Sequence, residues 1–227
     1  METILIADDE RSVRNVFKSI FEAEGYAVTL ARDGAEAVRL FDAKRPDLVL
    51  LDVMMPKMNG LAACAEIRRL DALVPIMFFT AMPSEISLVR GLGMGADDYI
   101  DKSRTPDEFV ARVKAALRRR LAAASAERPR EVLLLGAVTV DLSKMSVEKK
   151  GEPSMALTRT EAIILGALNE QRGRYVNCES LLARIYGDDF RGDTSRIRSY
   201  ISSLKKKLGP AGDMIANNYR SGYCLIK

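Results

Sequence analysis

The chain has 227 residues, of which 48% are hydrophobic and 29% charged, a balance that excludes a disordered or fibrous protein and fits one large or two modest globular domains. It contains no histidine, which removes Ser–His and Cys–His nucleophile pairs, imidazole metal sites and any phosphohistidine of its own. Cys64, Cys178 and Cys224 are too widely spaced for a metal knuckle, the longest apolar runs are too short for a bilayer, and the acidic start (Glu2, Asp8, Asp9, Glu10) is no secretory leader; the expected setting is cytoplasmic, without a membrane partner.

In chain order, Thr3 to Ala7, Ala27 to Ala31, Asp47 to Leu51, Pro75 to Thr80 and Asp98 to Asp101 read as strands. Between and after them, Ser12 to Glu24, Gly34 to Ala43, Gly60 to Leu70, Pro83 to Gly93 and Thr105 to Leu121 carry helical spacing, clearest where Phe109, Val113, Ala116 and Leu117 form one stripe. Five strands alternating with five helices predict an α/β, doubly wound, parallel five-stranded sheet over residues 1–121. The segment Ala122 to Arg130, small and polar and closed by Pro129, reads as a linker. Residues 131–227 begin with short β-like runs at Glu131 to Leu135, Ala137 to Leu142 and Ser146 to Lys149. Three helical stretches follow (Thr158 to Glu170, Cys178 to Ile185, Thr194 to Leu208), and the chain ends in a hairpin from Met214 to Lys227, an α+β winged helix-turn-helix pattern.

Charge divides the same way. Residues 1–121 carry 18 basic against 19 acidic side chains, and residues 122–227 carry 17 against 12, so the second part is the one suited to a polyanion.

Ligands of doubly wound sheets collect beyond the carboxyl ends of the strands. The predicted strands place there Asp8 and Asp9, Asp52, Thr80 and Lys102. Three gathered carboxylates repel one another unless a cation sits among them, and Mg²⁺ suits a few carboxylates plus water. A carboxylate can also attack phosphorus to give an acyl phosphate, with a lysine and a hydroxyl to meet the phosphoryl oxygens. Taken singly, an Asp at a strand end is an ordinary helix cap, Thr80 an ordinary strand residue and Lys102 a solvated cation; their joint placement at four strand ends favours the functional reading.

The segments Ile4-Leu5-Ile6-Ala7-Asp8-Asp9-Glu10, Leu50-Leu51-Asp52-Val53-Met54-Met55-Pro56-Lys57-Met58-Asn59-Gly60, Phe79-Thr80-Ala81 and Gly95-Ala96-Asp97-Asp98-Tyr99-Ile100-Asp101-Lys102 resemble the receiver domain of bacterial response regulators. The resemblance implies a flavodoxin-like fold, Asp52 as phosphoacceptor, Mg²⁺ held by Asp8, Asp9, Asp52 and the Met54 carbonyl, Lys102 paired with the phosphoryl group, and Thr80 and Tyr99 as the switch. Tyr99 as a simple core aromatic stands beside that role. The family usually has Lys-Pro-aromatic where this chain has Lys102-Ser103-Arg104; a trans peptide bond and a re-routed loop are therefore expected. Paired charges for a receiver dimer face are expected at Asp97 and Asp98 with Arg112 and Arg119 of a partner, with Glu108 lacking a basic mate because Leu88 stands in its place.

On the Thr194 to Leu208 stretch, Ile197, Ile201, Leu204 and Leu208 form one core-facing stripe, leaving Arg196, Arg198, Ser199, Ser202, Lys205 and Lys206 on other faces. Short hydroxyls permit close approach to DNA and arginine reads guanine or phosphate. Leu157-Thr158-Arg159-Thr160-Glu161, Leu181-Leu182, Ile185-Tyr186-Gly187, Ile201 to Leu208 and Ser221-Gly222-Tyr223 resemble the OmpR/PhoB-type winged-helix effector. The family commonly has Asp at Arg198, His at Tyr200 and Arg-Gly at Tyr219-Arg220, so its base preferences do not transfer, while Arg220 is expected at the minor groove or on a phosphate. The loop Gly187 to Gly192 is a candidate for contact with RNA polymerase.

Together these readings imply a non-enzymatic regulator phosphorylated on Asp52 by a sensor histidine kinase, dimerising on activation and binding tandem half-sites of double-stranded DNA. The alternatives are a constitutive DNA-binding regulator with a phosphate-independent receiver and, remotely, an Asp-nucleophile phosphatase, for which Met54 stands where the general acid is needed.

Overall fold

The computed structural model describes residues 1–81, 95–125, 131–187 and 194–226. It divides into two compact units, Met1–Ser125 and Ala126–Lys227. The predicted helix Pro83 to Gly93 with Leu88, the end of the predicted linker, and most of the Gly187 to Gly192 loop lie outside the described residues.

The first unit is a five-stranded sheet of β1 (Thr3–Ala7), β2 (Ala27–Ala31), β3 (Leu48–Leu51), β4 (Ile76–Thr80) and β5 (Asp98–Asp101), in the order β2-β1-β3-β4-β5 with every pair parallel. Helices α1 (Arg11–Ala23), α2 (Gly34–Lys44), α3 (Gly60–Leu70) and α4 (Pro106–Ser125) accompany it. All residues of β3 and β4 are buried, as continuous apolar runs in a parallel sheet covered on both faces require. Phe17, Phe21, Phe79, Phe109, Val113 and Leu117 pack against Ile4, Ile6 and Leu50 in one core. The order reverses direction at β1, with β2 on one side and β3 on the other. That is the switch point at which such sheets bind ligands.

Helix α4 runs four residues beyond Leu121, to Ser125. Ala122, Ala123 and Ala124 carry the highest helical propensity of any residue type, so the turn continues where composition alone suggested a linker.

Asp33 shows how a loop on this side is fixed. It caps α2 by accepting from Glu36 N at 2.8 Å and receives the Lys57 ammonium at 2.6 Å. The hydrogen bond from Lys57, then that from Glu36, holds the Asp33 carboxyl below its ordinary value of 3.8. A depressed folded value means that the stabilisation is complete above the unfolded value and fades as pH falls through the folded one. Asp33→Ala is expected to cost about 1 kcal/mol at neutral pH. In pH-resolved thermal unfolding, the variant's deficit should shrink in acid; a deficit that is constant across pH would contradict this assignment.

The second unit opens with an antiparallel sheet of β6 (Val132–Leu135), β7 (Val138–Asp141), β8 (Ser146–Lys149) and β9 (Met155–Ala156), in that order. At two residues, β9 is too short to leave a periodicity in the sequence. Helices α5 (Arg159–Glu170), α6 (Cys178–Tyr186) and α7 (Ser195–Leu208) follow, then a 3₁₀ turn (Gly209–Met214) and the hairpin of β10 (Ile215–Asn218) and β11 (Gly222–Leu225). The hairpin is anchored by a bridge from Tyr223 to Val176, with reciprocal backbone bonds of 2.7 and 2.9 Å.

Ile197, Ile201, Leu204 and Leu208 all point inward from α7, joined by Tyr200 and Ser203. Tyr200 meets Tyr186 of α6, hydroxyl to hydroxyl, at 2.9 Å. Ser203 Oγ donates to Glu161 Oε1 at 2.7 Å, and Lys207 Nζ to Glu161 Oε2 at 2.7 Å. The same carboxylate closes the capping box of α5 by accepting from Thr158 N at 2.8 Å. Glu161 is buried, and these donors from two helices stabilise its charge there.

Candidate functional site

The sheet brings four of the predicted residues to one edge. Asp8 follows β1, Asp52 follows β3, Thr80 ends β4 and Lys102 follows β5. Backbone bonds extend each ladder one step further: Asp8 N to Ala31 O at 3.2 Å, Asp52 N to Ala7 O at 2.8 Å, Lys102 N to Thr80 O at 2.9 Å. Asp8, Asp52 and Thr80 are buried, whereas Asp9 is exposed. One carboxylate oxygen from each of Asp8, Asp9 and Asp52 lies within 4.8 Å of the others.

Lys102 Nζ stands 2.6 Å from Asp8 Oδ2 and 3.5 Å from Asp52 Oδ1, and 5.1 Å over the Phe79 ring. Apart from that ammonium, neither of these buried oxygens has a hydrogen-bond donor among the described residues. Burial pushes the Asp52 carboxyl up to about 6; Lys102 opposes the shift and the neighbouring Asp8 charge adds to it. Glu10 N donates to Asp8 Oδ1 at 2.8 Å, and the Arg14 guanidinium donates to the carbonyls of Asp8 and Asp9 at 2.6 and 2.9 Å, which fixes the acidic loop. The arrangement of three carboxylates, under-bonded oxygens and one ammonium suits a divalent cation and a phosphoryl group.

Lys102 reaches this place on a trans backbone, since no described peptide bond is cis. The loop turns instead through Asp101, whose Oδ1 accepts from Ser103 N at 2.8 Å and whose carbonyl accepts from Arg104 N at 3.0 Å. Tyr99 is buried, and Met54 is 72% exposed.

In the second unit, Arg198, Lys206 and Arg220 are exposed, and Arg196, Ser199, Ser202 and Lys205 are partly so. A cleft of about 560 Å³ is shared by Asn177 and Cys178 of the α6 start, Thr194 and Arg198 at the α7 start, and Asn217 to Arg220 of the hairpin. Burial raises both the Cys178 thiol and the Tyr223 phenol in its wall, and the Arg198 charge opposes each shift.

Comparison with known families matches residues 4–114 to the response regulator receiver domain and residues 151–225 to the C-terminal domain of transcriptional regulatory proteins. The transcriptional regulatory protein TrcR of Mycobacterium tuberculosis is 36% identical over 224 residues, covering 98% of this chain and 86% of its own. The alkaline phosphatase synthesis transcriptional regulatory protein PhoP of Bacillus subtilis is 37% identical over 209 residues, covering 90% of this chain and 87% of its own. The chain is an OmpR/PhoB-type response regulator. A solved RitR variant superposes with a TM-score of 0.74 at 24% identity, covering 99% of each chain, and so shares the fold.

As a two-component response regulator it joins a receiver to a DNA-binding domain, in a family of DNA-binding transcription regulators that are not enzymes. Regulators of this family are phosphorylated by histidine kinases, and their receivers generally bind Mg²⁺ at an acidic pocket. No helix among the described residues is long and apolar enough to cross a membrane.

Several residues of the expected dimer face are engaged within this chain. Arg112 of this response regulator is fully buried, and its guanidinium bonds Asp98 of the same chain at 3.1 Å and Glu108 at 2.6 Å. Asp97 is likewise engaged at home, with Arg68 at 2.7 Å and Ile76 N at 3.0 Å. Glu108, expected without a mate, has both Arg112 and, at 3.7 Å, Arg104. The reason is position: the apolar stripe of α4 carries Arg112 into the interior, where a guanidinium requires partners within reach. Arg119 is partly buried on the same helix.

Sequence reasoning gave no role to Arg14, Asp101 or Gly60. For Asp101 the signal was available, as an Asp two residues before Ser103 favours such a turn. For Gly60 it lies in close approach: a Cβ there would stand 2.0 Å from the Asp52 carbonyl oxygen.

Proposed function

We propose that this regulator is switched by phosphorylation of Asp52 from a partner sensor histidine kinase, and that the switch promotes dimerisation and binding of α7 to adjacent DNA half-sites. The observation that carries the reading is Asp52 Oδ1, a buried carboxylate oxygen that, among the described residues, has no donor apart from the Lys102 ammonium 3.5 Å away.

In the proposed step an Asp52 oxygen attacks the phosphorus of the kinase's phosphohistidine. The P–N bond breaks, the imidazole nitrogen leaves with a proton from solvent, and Asp52 becomes an acyl phosphate. Lys102 pairs with a phosphoryl oxygen, and the Thr80 hydroxyl follows the group while Tyr99 adjusts behind it. Asp8, Asp9 and Asp52, with the Met54 carbonyl, would hold Mg²⁺, which when bound supplies positive charge to the phosphoryl oxygens. The under-bonded oxygens of Asp8 and Asp52 support that fit. Met54, two residues after the nucleophile, offers no proton to a leaving alcohol, which disfavours a phosphatase.

On DNA, Arg196, Arg198, Ser199, Ser202, Lys205 and Lys206 of α7 would face the major groove and Arg220 the hairpin side, two subunits lying about one helical turn apart. The Gly187 to Gly192 loop remains a candidate for RNA polymerase, and the setting is the cytoplasm.

Acetyl phosphate with Mg²⁺ is expected to shift the wild type on a phosphate-affinity gel and to leave Asp52→Ala unshifted. A shifted band that persists in Asp52→Ala would refute Asp52 as acceptor. Equal DNA affinity for wild type and Asp52→Asn after phosphorylation would instead favour a constitutive regulator.

A further inference from the structure

The loop between β5 and α4 delivers Lys102 to the acidic pocket on a backbone that no ring constrains. Residues 102–105 contain no proline, their peptide bonds are trans, and Ser103 and Arg104 are exposed. Upstream, Lys102 N donates to Thr80 O at 2.9 Å, one step beyond the pairing of Thr80 with Asp101. Downstream, Thr105 precedes α4, and its carbonyl accepts from Glu108 N at 3.1 Å and Phe109 N at 3.3 Å.

Between these anchors the chain reverses around one side chain. Asp101 Oδ1 accepts from Ser103 N at 2.8 Å, an Asx turn, and the Asp101 carbonyl accepts from Arg104 N at 3.0 Å, a β-turn over the same residues. Lys102 is the first central residue of that turn. The two bonds therefore set its backbone angles, and with them the direction in which its stem leaves the chain. The side chain runs into the pocket and is only 14% exposed. Its Nζ lies 5.1 Å over the Phe79 ring, 2.6 Å from Asp8 Oδ2 and 3.5 Å from Asp52 Oδ1. Asp101 is not one of the carboxylates gathered there, which are Asp8, Asp9 and Asp52.

We propose that Asp101 is a positioning residue for phosphoryl transfer: its side chain fixes the turn that aims Lys102 at the phosphoryl group arriving on Asp52. This rests on the phosphorylation reading and adds to it a residue outside the pocket. Lysine is a compact charge on a flexible four-carbon stem, so its effect on a transferring group depends on where the backbone holds it. Here a side-chain turn supplies the hold that a pyrrolidine ring would otherwise give. The role requires an acceptor oxygen at position 101 and not a negative charge, because the carbonyl of an asparagine makes the same turn.

The test uses the full-length protein with acetyl phosphate and Mg²⁺, at a temperature where thermal unfolding curves show every variant to be folded. The rate of labelling is read on a phosphate-affinity gel. Asp101→Ala should label about tenfold more slowly than the wild type, the usual size of the loss of one hydrogen bond to a charged acceptor. Asp101→Asn should label at the wild-type rate, and so should Ser103→Ala, which keeps the donating backbone N–H. Because Asp101 acts through Lys102, its effect should vanish once the ammonium is gone. Asp101→Ala combined with Lys102→Ala should label as slowly as Lys102→Ala alone, and no more slowly.

Wild-type labelling by Asp101→Ala would overturn this proposal alone, since the pocket would then work without the turn. Equal slowing of Asp101→Asn and Asp101→Ala would also overturn it, by assigning the effect to charge. So would a further loss of similar size in the double variant, which would separate Asp101 from Lys102. A wild type that takes no label would remove the phosphorylation reading itself.

Discussion

Replacing Arg112 by alanine is expected to cost about 3–5 kcal/mol in the first unit, the penalty for leaving a buried charge without its mate. The group that loses its guanidinium is Asp98, 1% exposed, whose Oδ2 receives Arg112 at 3.1 Å. The price is set by Asp98 rather than by the lost bond, and this has a consequence that can be checked. Arg112→Ala combined with Asp98→Asn should recover much of the loss, because the second change removes the buried charge that the guanidinium offset. Urea unfolding with hydrogen exchange read on peptides from Met1–Ser125 isolates this unit. A residue held in reserve for a partner subunit would behave otherwise: Arg112→Ala would weaken association and leave urea unfolding unchanged.

Gly60→Ala should have an equally large effect on chemistry. The added methyl carbon would lie 2.0 Å from the Asp52 carbonyl oxygen and 2.9 Å from its carbon, backbone against backbone, with no side chain able to swing aside. Asp52 is tied to β1 through Ala7 O, so relief of the clash turns its carboxylate away from Lys102. A displacement of about 1 Å is expected to slow labelling by acetyl phosphate roughly 10²-fold. Gly25 is the natural control: its φ of +86° makes alanine strained, but open space surrounds it. Gly25→Ala should therefore lower the melting temperature modestly and label at the wild-type rate. Wild-type labelling by Gly60→Ala would contradict the proposed placement of Asp52.

Much of this architecture could be read from the chain because its signals are local. Leu48 to Leu51 is an apolar run that only a doubly covered strand accommodates, and Asp52 follows it directly, so strand and site residue emerged together. Lys102 was harder, because its usual proline is missing. Its position comes from the pairing of β5 with β4, where Asp101 lies opposite Thr80, and from the Asp101 turn. The intrachain partners of Arg112 were harder to read for a related reason. Its i,i+4 relation to Glu108 is visible on a helical wheel, but the carboxylate that makes burial tolerable, Asp98, arrives from a strand 14 residues away. The extension of α4 to Ser125 depended on propensity, which competes poorly with the expectation that small polar residues join domains.

Glu161 has an evolutionary consequence. Because one interior carboxylate grips α7 through Ser203 and Lys207, the axis of that helix cannot tilt without breaking bonds to a sequestered anion. The outward positions Arg196, Arg198, Ser199 and Ser202 take no part in the grip. Under the proposed DNA-reading role of α7, drift at those sites would rewrite which operators are recognised while the docking angle is inherited intact, so a lineage would acquire new target genes without rebuilding its scaffold.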